Sequence, residues 1–138
     1  MALMTREQIL GTPKAGYTEI DLSDIPGWGA VRIKDLSAGE RDRIEASCVV
    51  ERLVVGKGGK KKLKKDTSLE GIRAKFVAAC VVDADGKAIF TPADVTAIGE
   101  LNAKAVDRIF SAIQERNGLR EEDLDELAGN FNDGQSDD

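Results

Sequence analysis

Helix-start signals recur along this chain and divide it into short elements. Ser or Thr followed three residues later by Glu or Gln forms a capping box, which satisfies two backbone N–H groups at a helix start. Boxes of this kind occupy residues 5–8, 37–40 and 67–70, and further helix starts stand at Thr91-Pro92 and Asn102. Their close spacing limits the chain to short helices with strands, turns or loops between them.

Alternating apolar and polar residues predict a β-hairpin near the N-terminus. Residues 18–22 and 31–34 alternate in this way, and residues 25–29 between them have the Pro and Gly composition of a turn. We expect Trp28, in that connection, to cover the rim of the core. Asp85-Gly86, between two short apolar pieces, predicts a second and shorter hairpin.

Apolar stripes at helical spacing predict which residues build the core. In order along the chain the stripes comprise Ile44, Cys48, Val49 and Leu53; Leu69, Ile72, Phe76 and Cys80; Val95 and Ile98; and Val106, Ile109, Phe110 and Ile113. The second stripe belongs to the expected central helix. The sequence therefore predicts an α+β fold, mostly helical, in a small single domain with two hairpins and about four to five helices.

Composition excludes several classes of function. The 138 residues include no His, which removes His-dependent catalysis and His-ligated metal sites. The two Cys are far apart in sequence, so they form neither a zinc knuckle nor a disulfide framework. One Trp, one Tyr and four Phe leave little to line a substrate cleft. We expect neither an enzyme nor a bound cofactor or metal. No membrane span or secretory leader is expected either.

Charge is distributed unevenly along the chain. The formal net charge is -5, yet Lys57–Lys65 contains six Lys and no acid, while the C-terminal end is strongly acidic. We predict a globular domain over residues 1–119 with a flexible basic loop at 56–66, followed by an acidic short helix and disordered tail at 120–138. An acidic chain with one basic loop argues against a duplex-DNA binder, which presents a broad basic face.

Two local motifs resemble ligand-binding loops but lack residues that such loops require. Residues 83–86 read Asp-Ala-Asp-Gly, but Val81 and Pro92 then occupy positions where a calcium loop requires carboxylates. Residues 56–61 are rich in Gly and Lys but lack the Ser or Thr that follows Gly-Lys in a phosphate loop. We interpret the first as a hairpin turn and the second as a solvated loop.

Three segments, taken in order, carry a resemblance to a known family. They are LSAGERDRIEAS at residues 36–47, RAKFVAACVVDADGKAIFT at 73–91 and DVTAIGELNAKAVDRIF at 94–110. With the N-terminal helix and hairpin before them and an acidic helix after them, they resemble the tail assembly chaperones of long-tailed bacteriophages. The resemblance covers about residues 4–127 and rests on the series, because no single motif is diagnostic.

The resemblance implies a non-enzymatic role in phage morphogenesis. Such chaperones bind the tape measure protein, a long and largely helical chain, and keep it soluble until tail-tube subunits polymerise around it. They act in the host bacterial cytoplasm and are absent from the mature virion. Tail-tube protein is a further candidate partner, self-association stays open, and neither a membrane nor nucleic acid is expected as a partner.

Two surfaces are candidates for the partner contact. The first is the acidic end, where Leu119, Leu124, Leu127 and Phe131 are apolar groups in a highly charged segment. The alternative is that its leucines simply pack on the domain. The second surface is the basic loop, represented by Lys60, Lys61 and Lys62. Two other functions remain open: a small regulatory or nucleic-acid-associated module that uses this loop, and a structural virion component such as a tail-completion protein.

Overall fold

The described part of the chain is an α+β domain of five α-helices and two small antiparallel sheets. The α+β class, the N-terminal hairpin and the number of helices are as the sequence predicts, whereas the second sheet is not predicted. The structure is a computed structural model that describes residues 2–119, without the side chains of residues 52 and 65–67. The elements in order are α1 (Arg6–Leu10), β1 (Tyr17–Asp21), β2 (Ala30–Lys34), α2 (Ala38–Ser47), β3 (Val49–Val55), β4 (Lys61–Thr67), α3 (Ile72–Cys80), β5 (Val81–Val82), α4 (Val95–Gly99) and α5 (Ala103–Asn117). Single turns of 3-10 helix lie at Lys57–Gly59 and Pro92–Asp94. The predicted tail at 120–138 lies outside the described residues.

The N-terminal hairpin and the short second hairpin are confirmed. Strands β1 and β2 pair over their whole length, and β5 joins the free side of β2, so that the sheet order is β1-β2-β5. The second hairpin turns at Asp83, whose backbone N–H donates to the Lys87 carbonyl at 2.8 Å. Its return segment contributes one bridge, between Val82 and Ala88.

Most predicted helix starts are confirmed. Capping boxes form at Thr5 and at Ser37, and the Asn102 side chain accepts a hydrogen bond from the Ala105 N–H at 3.1 Å. The predicted box at 67–70 is wrong, because Thr67 belongs to β4 and α3 starts only at Ile72. Gly71 precedes that helix without any side-chain cap.

The core lies between the first sheet and the helices α3, α4 and α5. Leu22 and Ile33 enter it from the hairpin, and the rings of Phe76 and Phe110 meet with centroids 5.6 Å apart. The stripe of α5 is buried as predicted, as are Phe76 and Cys80 of α3. Trp28 is half-buried against the core, which confirms its rim position. These contacts unite helices and hairpin in one apolar centre.

The predicted extension of the α2 stripe is wrong. The helix ends at Ser47, Cys48 is its C-terminal cap, and Val49–Val55 forms β3. Cys48 is fully buried, as predicted for a small core residue, but Leu53 is exposed. Valine loses side-chain freedom in a helix and fits the pleat of a strand. Four valines in seven residues therefore favour β3 over a longer helix.

The predicted basic loop at 56–66 is also corrected. Only a tight turn at Lys57–Gly59 separates β3 from β4, and Lys61–Thr67 pairs with β3 along its whole length. Gly58 and Gly59 have φ values of 82° and 76°, in the left-handed region that glycine adopts without strain. Backbone pairing organises this Lys-rich segment, which has little apolar surface of its own to bury.

Candidate functional site

The most distinctive surface of the molecule is the hairpin formed by β3, its turn and β4, called here the arm (residues 49–67). Its register runs from Val49 opposite Thr67 to Val55 opposite Lys61. At its base the Ser68 N–H donates to the Cys48 carbonyl at 2.7 Å. Seven residues per strand give the ribbon a length of roughly 23 Å. The rest of the described chain, residues 2–48 and 68–119, is called the body.

The arm lies outside the core. None of its described side chains belongs to the buried cluster or to the half-buried groups packed around it. Beyond its own partner strand, β3 contacts mainly α2. Within residues 2–119, neither β3 nor β4 pairs with a strand of the body. Both outer edges of the ribbon therefore carry backbone groups that can pair with an added strand.

Three apolar side chains of the arm form an exposed row, called here the apolar strip. Leu53 lies directly opposite Leu63, and Val55 follows two residues further along β3. Residues two apart share a face of a strand, so all three side chains are on the same side of the ribbon. Their exposed fractions are 58% for Leu53, 66% for Val55 and 69% for Leu63. A two-stranded ribbon cannot bury such a row by itself.

Positive charge surrounds the apolar strip. The arm contains seven Lys and Arg against two acids, whereas the rest of the chain contains 13 against 23. The arm therefore carries a net charge of +5 and the remainder -10. The predicted site residues Lys60, Lys61 and Lys62 are all exposed where the turn leads into β4. Apolar contact and attraction of an acidic partner are thus available on one element.

Leu119, a predicted contact residue, is instead buried in the core with 5% of its surface exposed. Its backbone N–H donates to the Gln114 carbonyl at 2.9 Å, after Gly118 adopts a φ of 64°. This is a Schellman ending, in which glycine turns the chain and the next apolar residue packs back on the helix. The pair Gly118-Leu119 was the signal for it. Leu124, Leu127 and Phe131 lie outside the described residues.

A groove of about 600 Å³ lies beside the base of the arm, between α2, α3 and the segment that leads into α4. Its apolar lining comes from Ile44, Ala78, Ala79, Phe90 and Val95. Lys75 and Ser47 also line it, and the Lys75 Nζ donates to the Ser47 carbonyl at 3.1 Å, one residue before Cys48. Small side chains on the floor leave room for those of a docked helix.

The groups with shifted pKa values are structural. Arg116 binds Asp35 through two hydrogen bonds, of 2.6 and 3.1 Å, and lowers the pKa of that carboxyl. Arg108 lowers the pKa of Asp24 in the same way. Both pairs join α5 to the region of the N-terminal hairpin. Burial raises the pKa of the Cys80 thiol to about 12, so this sulfur stays protonated.

The acidic turn at residues 83–86 uses its carboxylate internally. One oxygen of Asp83, Oδ1, accepts from the backbone N–H groups of Asp85 at 2.8 Å and Lys87 at 3.0 Å. This is the bonding of an Asx turn, which agrees with a hairpin in place of a calcium loop. Among residues 2–119 no three His, Cys, Asp or Glu side chains are grouped as metal ligands would be.

None of the helices in the described part of the chain is both long and apolar enough to cross a bilayer. Comparisons of this chain with protein families, with curated proteins and with solved structures find no match.

Proposed function

We propose that this protein is a phage tail assembly chaperone that binds the tape measure protein and keeps it soluble until the tail tube assembles around it. The family resemblance of the sequence supplies the partner. The observation that carries the proposal is the apolar strip on the arm, where Leu53, Val55 and Leu63 stay exposed on an element outside the core.

The strip has the chemistry that a helical client requires. A long helix with an uncovered apolar face aggregates, and lending it a second apolar surface prevents this. Burying a leucine or valine side chain contributes roughly 1.5–3 kcal/mol, so the three side chains together contribute several kcal/mol before the cost of association. One contact of this strength is weak and reversible. Many copies along one client cover it fully and still release it.

The neighbouring groove offers a second apolar surface for the same client. It opens beside the arm's base, because Ser47 lines it and the arm follows Cys48 directly. In this proposal the client helix places its apolar residues against Ala78 and Ala79 while the arm covers an adjoining stretch. The proposed setting is the host bacterial cytoplasm, with tail-tube subunits as a later partner and no copies in the mature virion.

Co-expression tests the proposal. The tape measure protein is expressed alone, with the wild-type chain, and with the double variant L53S/L63S, and its soluble fraction is measured. The matched control L10S/L101S removes two leucines that are also exposed but lie in the body. We expect rescue by the wild type and by the control, and loss of rescue by the arm variant.

The other outcomes separate the role from the surface. Rescue by the arm variant equal to that by the wild type would keep the chaperone role and move the contact to the groove or to residues 120–138. No rescue and no co-purification with the wild-type chain would overturn the proposed function.

The exposed lysines of the arm favour one second candidate, a regulatory or nucleic-acid-associated module. Lys57, Lys60, Lys61 and Lys62 are all exposed at one end of the ribbon. Binding through lysine–phosphate contacts weakens steeply as salt rises, whereas burial of the apolar strip does not. Titration of the protein with labelled RNA and duplex DNA, at about 50 mM and about 300 mM salt, distinguishes the two candidate functions. Tight binding at low salt that disappears at high salt would favour this module.

A further inference from the structure

We propose that residues 121–131 of the same chain dock on the apolar strip of the arm and cover it while no partner is bound. The inference concerns how the arm is regulated, and it does not depend on which client the arm binds. It rests on the exposure of the strip, on complementary charge and on the place where the described chain ends.

Charge and apolar content match between the two segments. Residues 121–131 read EEDLDELAGNF, with five acids, no base, two leucines and one phenylalanine. The arm offers the complement, a net charge of +5 around Leu53, Val55 and Leu63. Docking would place the acids of this segment near the lysines of the arm and its apolar side chains against the strip, and both contacts favour the docked state. The body, with 12 basic and 15 acidic residues, offers no comparable attraction over its length.

The end of α5 lies within reach of the arm. The Leu36 N–H donates to Oδ1 of Asn117 at 2.8 Å, so the end of α5 lies beside the start of α2. The 10 residues of α2 span roughly 15 Å, and the arm follows at its other end. Leu53 lies four residues, or roughly 13 Å, further along β3, so the path to the strip is roughly 28 Å. From Leu119, the eight residues to Leu127 reach about 28 Å and the 12 to Phe131 about 40 Å. Leu127 and Phe131 can therefore reach the strip within one chain.

A second copy of the arm is the less favourable occupant. Two arms packed strip to strip would bring two charges of +5 together, which costs energy wherever like charges meet across strands. Lysines along an edge strand also discourage pairing with another copy. The acidic segment has neither disadvantage. The acidic segment therefore competes with any client for the strip. The apparent affinity of the arm for the client falls in proportion to the fraction of arms that remain uncovered.

Zero-length cross-linking of the full chain tests the docking without any client. A carbodiimide joins a lysine amine to a carboxylate in contact with it, and mass spectrometry identifies the joined peptides. Equal amounts of light and isotopically heavy chains are mixed before the reaction. We expect joined peptides that pair Lys60–Lys65 with residues 121–126, all of one isotope. Their yield should exceed that for the exposed body lysines Lys14, Lys87 and Lys104.

Two variations show whether the cross-links report docking. The variant L124S/L127S/F131S keeps every carboxylate, so only loss of apolar docking lowers its yield, which we expect to fall by about threefold or more. The body variant L10S/L101S should match the wild type. Raising salt tenfold should also lower the yield, since exposed charges are then screened.

Three outcomes would overturn the inference. Mixed-isotope pairs in statistical proportion would mean that the acidic segment docks on another copy. Equal yields for arm and body lysines would mean that the acidic segment has no fixed site. An undiminished yield in L124S/L127S/F131S would mean that charge alone brings the segments together. None of these results bears on whether the tape measure protein is the client, so the two proposals can fail separately.

Discussion

The body and the arm of this protein treat apolar residues in opposite ways. In the body, Phe76, Phe110 and their neighbours are buried, and ion pairs such as Arg116–Asp35 fasten the surrounding elements. In the arm, Leu53 and Leu63 face each other across a ribbon, and both stay exposed among residues 2–119. The body buries its large apolar side chains, as a folded domain does. The arm leaves an apolar row exposed, and under the proposed function this row is the contact surface.

The two regions differ as clearly in charge. The described body carries 12 basic and 15 acidic residues, a mild excess of acid, whereas the arm is strongly basic. Positive charge concentrated around the exposed apolar row of the arm disfavours association of that row with the same row of another copy. Under the proposed function, the body supplies stability and the arm supplies the contact with the partner.

The largest expected difference between body and arm is in how much the free energy of unfolding falls when an apolar side chain is truncated. Phe76→Ala should lower the free energy of unfolding by about 3–5 kcal/mol, because it leaves a cavity against Phe110 in a closed core. Leu63→Ala, at an exposed position of the arm, should cost less than about 1 kcal/mol. Urea unfolding of both variants measures this. Equal costs would mean that the arm is part of the folding core.

Amide hydrogen exchange should resolve the same difference within the wild-type protein. An isolated two-stranded ribbon is only marginally stable, so amides paired between β3 and β4 should exchange through local opening. We expect their opening free energies to lie at least about 2 kcal/mol below those of α5 amides such as Ile109 and Ile113. Uniform protection would contradict an independent arm and favour cooperative unfolding of the whole molecule.

Removing the arm should leave the body folded. The Cys48–Ser68 hydrogen bond brings the two ends of the arm together, so replacing residues 50–66 with Asn-Gly closes the chain with a tight turn. Because no described arm side chain belongs to the core, the free energy of unfolding should change by about 1 kcal/mol or less. Thermal unfolding tests this. Loss of a cooperative transition would show that the body needs the arm.

The smallest effect concerns an ion pair that only the body has. Arg116 lowers the pKa of Asp35 from its usual 3.8, so the pair stabilises the fold above about pH 4, and that contribution is lost as pH falls through the lowered value. Asp35→Asn should therefore weaken the acid dependence of the melting temperature between about pH 5 and 2. Adding Arg116→Gln to it should change that dependence little further, since both substitutions remove one pair. Additive effects would mean that the two groups act independently.

Much of the body could be predicted from the sequence because its signals are local. The stripe of Val106, Ile109 and Phe110 places one face of α5 inwards, and the cap at Asn102 fixes its start. The hairpin of β1 and β2 follows from alternation around a turn. Each of these features depends on residues a few positions apart, so each can be read along the chain.

The candidate site was harder to predict because its residues fit two patterns. Cys48, Val49 and Leu53 have helical spacing, yet the same stretch is rich in valine and forms a strand. Lysines at residues 60–65 are typical of a loop, and their pairing with β3 depends on the strand opposite. The basic charge of the site was evident from the sequence. The apolar strip was not.

What the sequence alone determined is therefore the composition of the elements and most of their ends: the caps, the apolar faces of the main helices, the first hairpin and the sign of charge in each region. What only the tertiary structure decided is which apolar residues are buried against other segments. Leu119 is buried and Leu63 is exposed, although both are leucines next to charged segments. Helix hydrogen bonds join residues four apart, so helices appear in the local sequence. Burial depends on what other segments bring alongside, and that becomes visible only once the chain is folded.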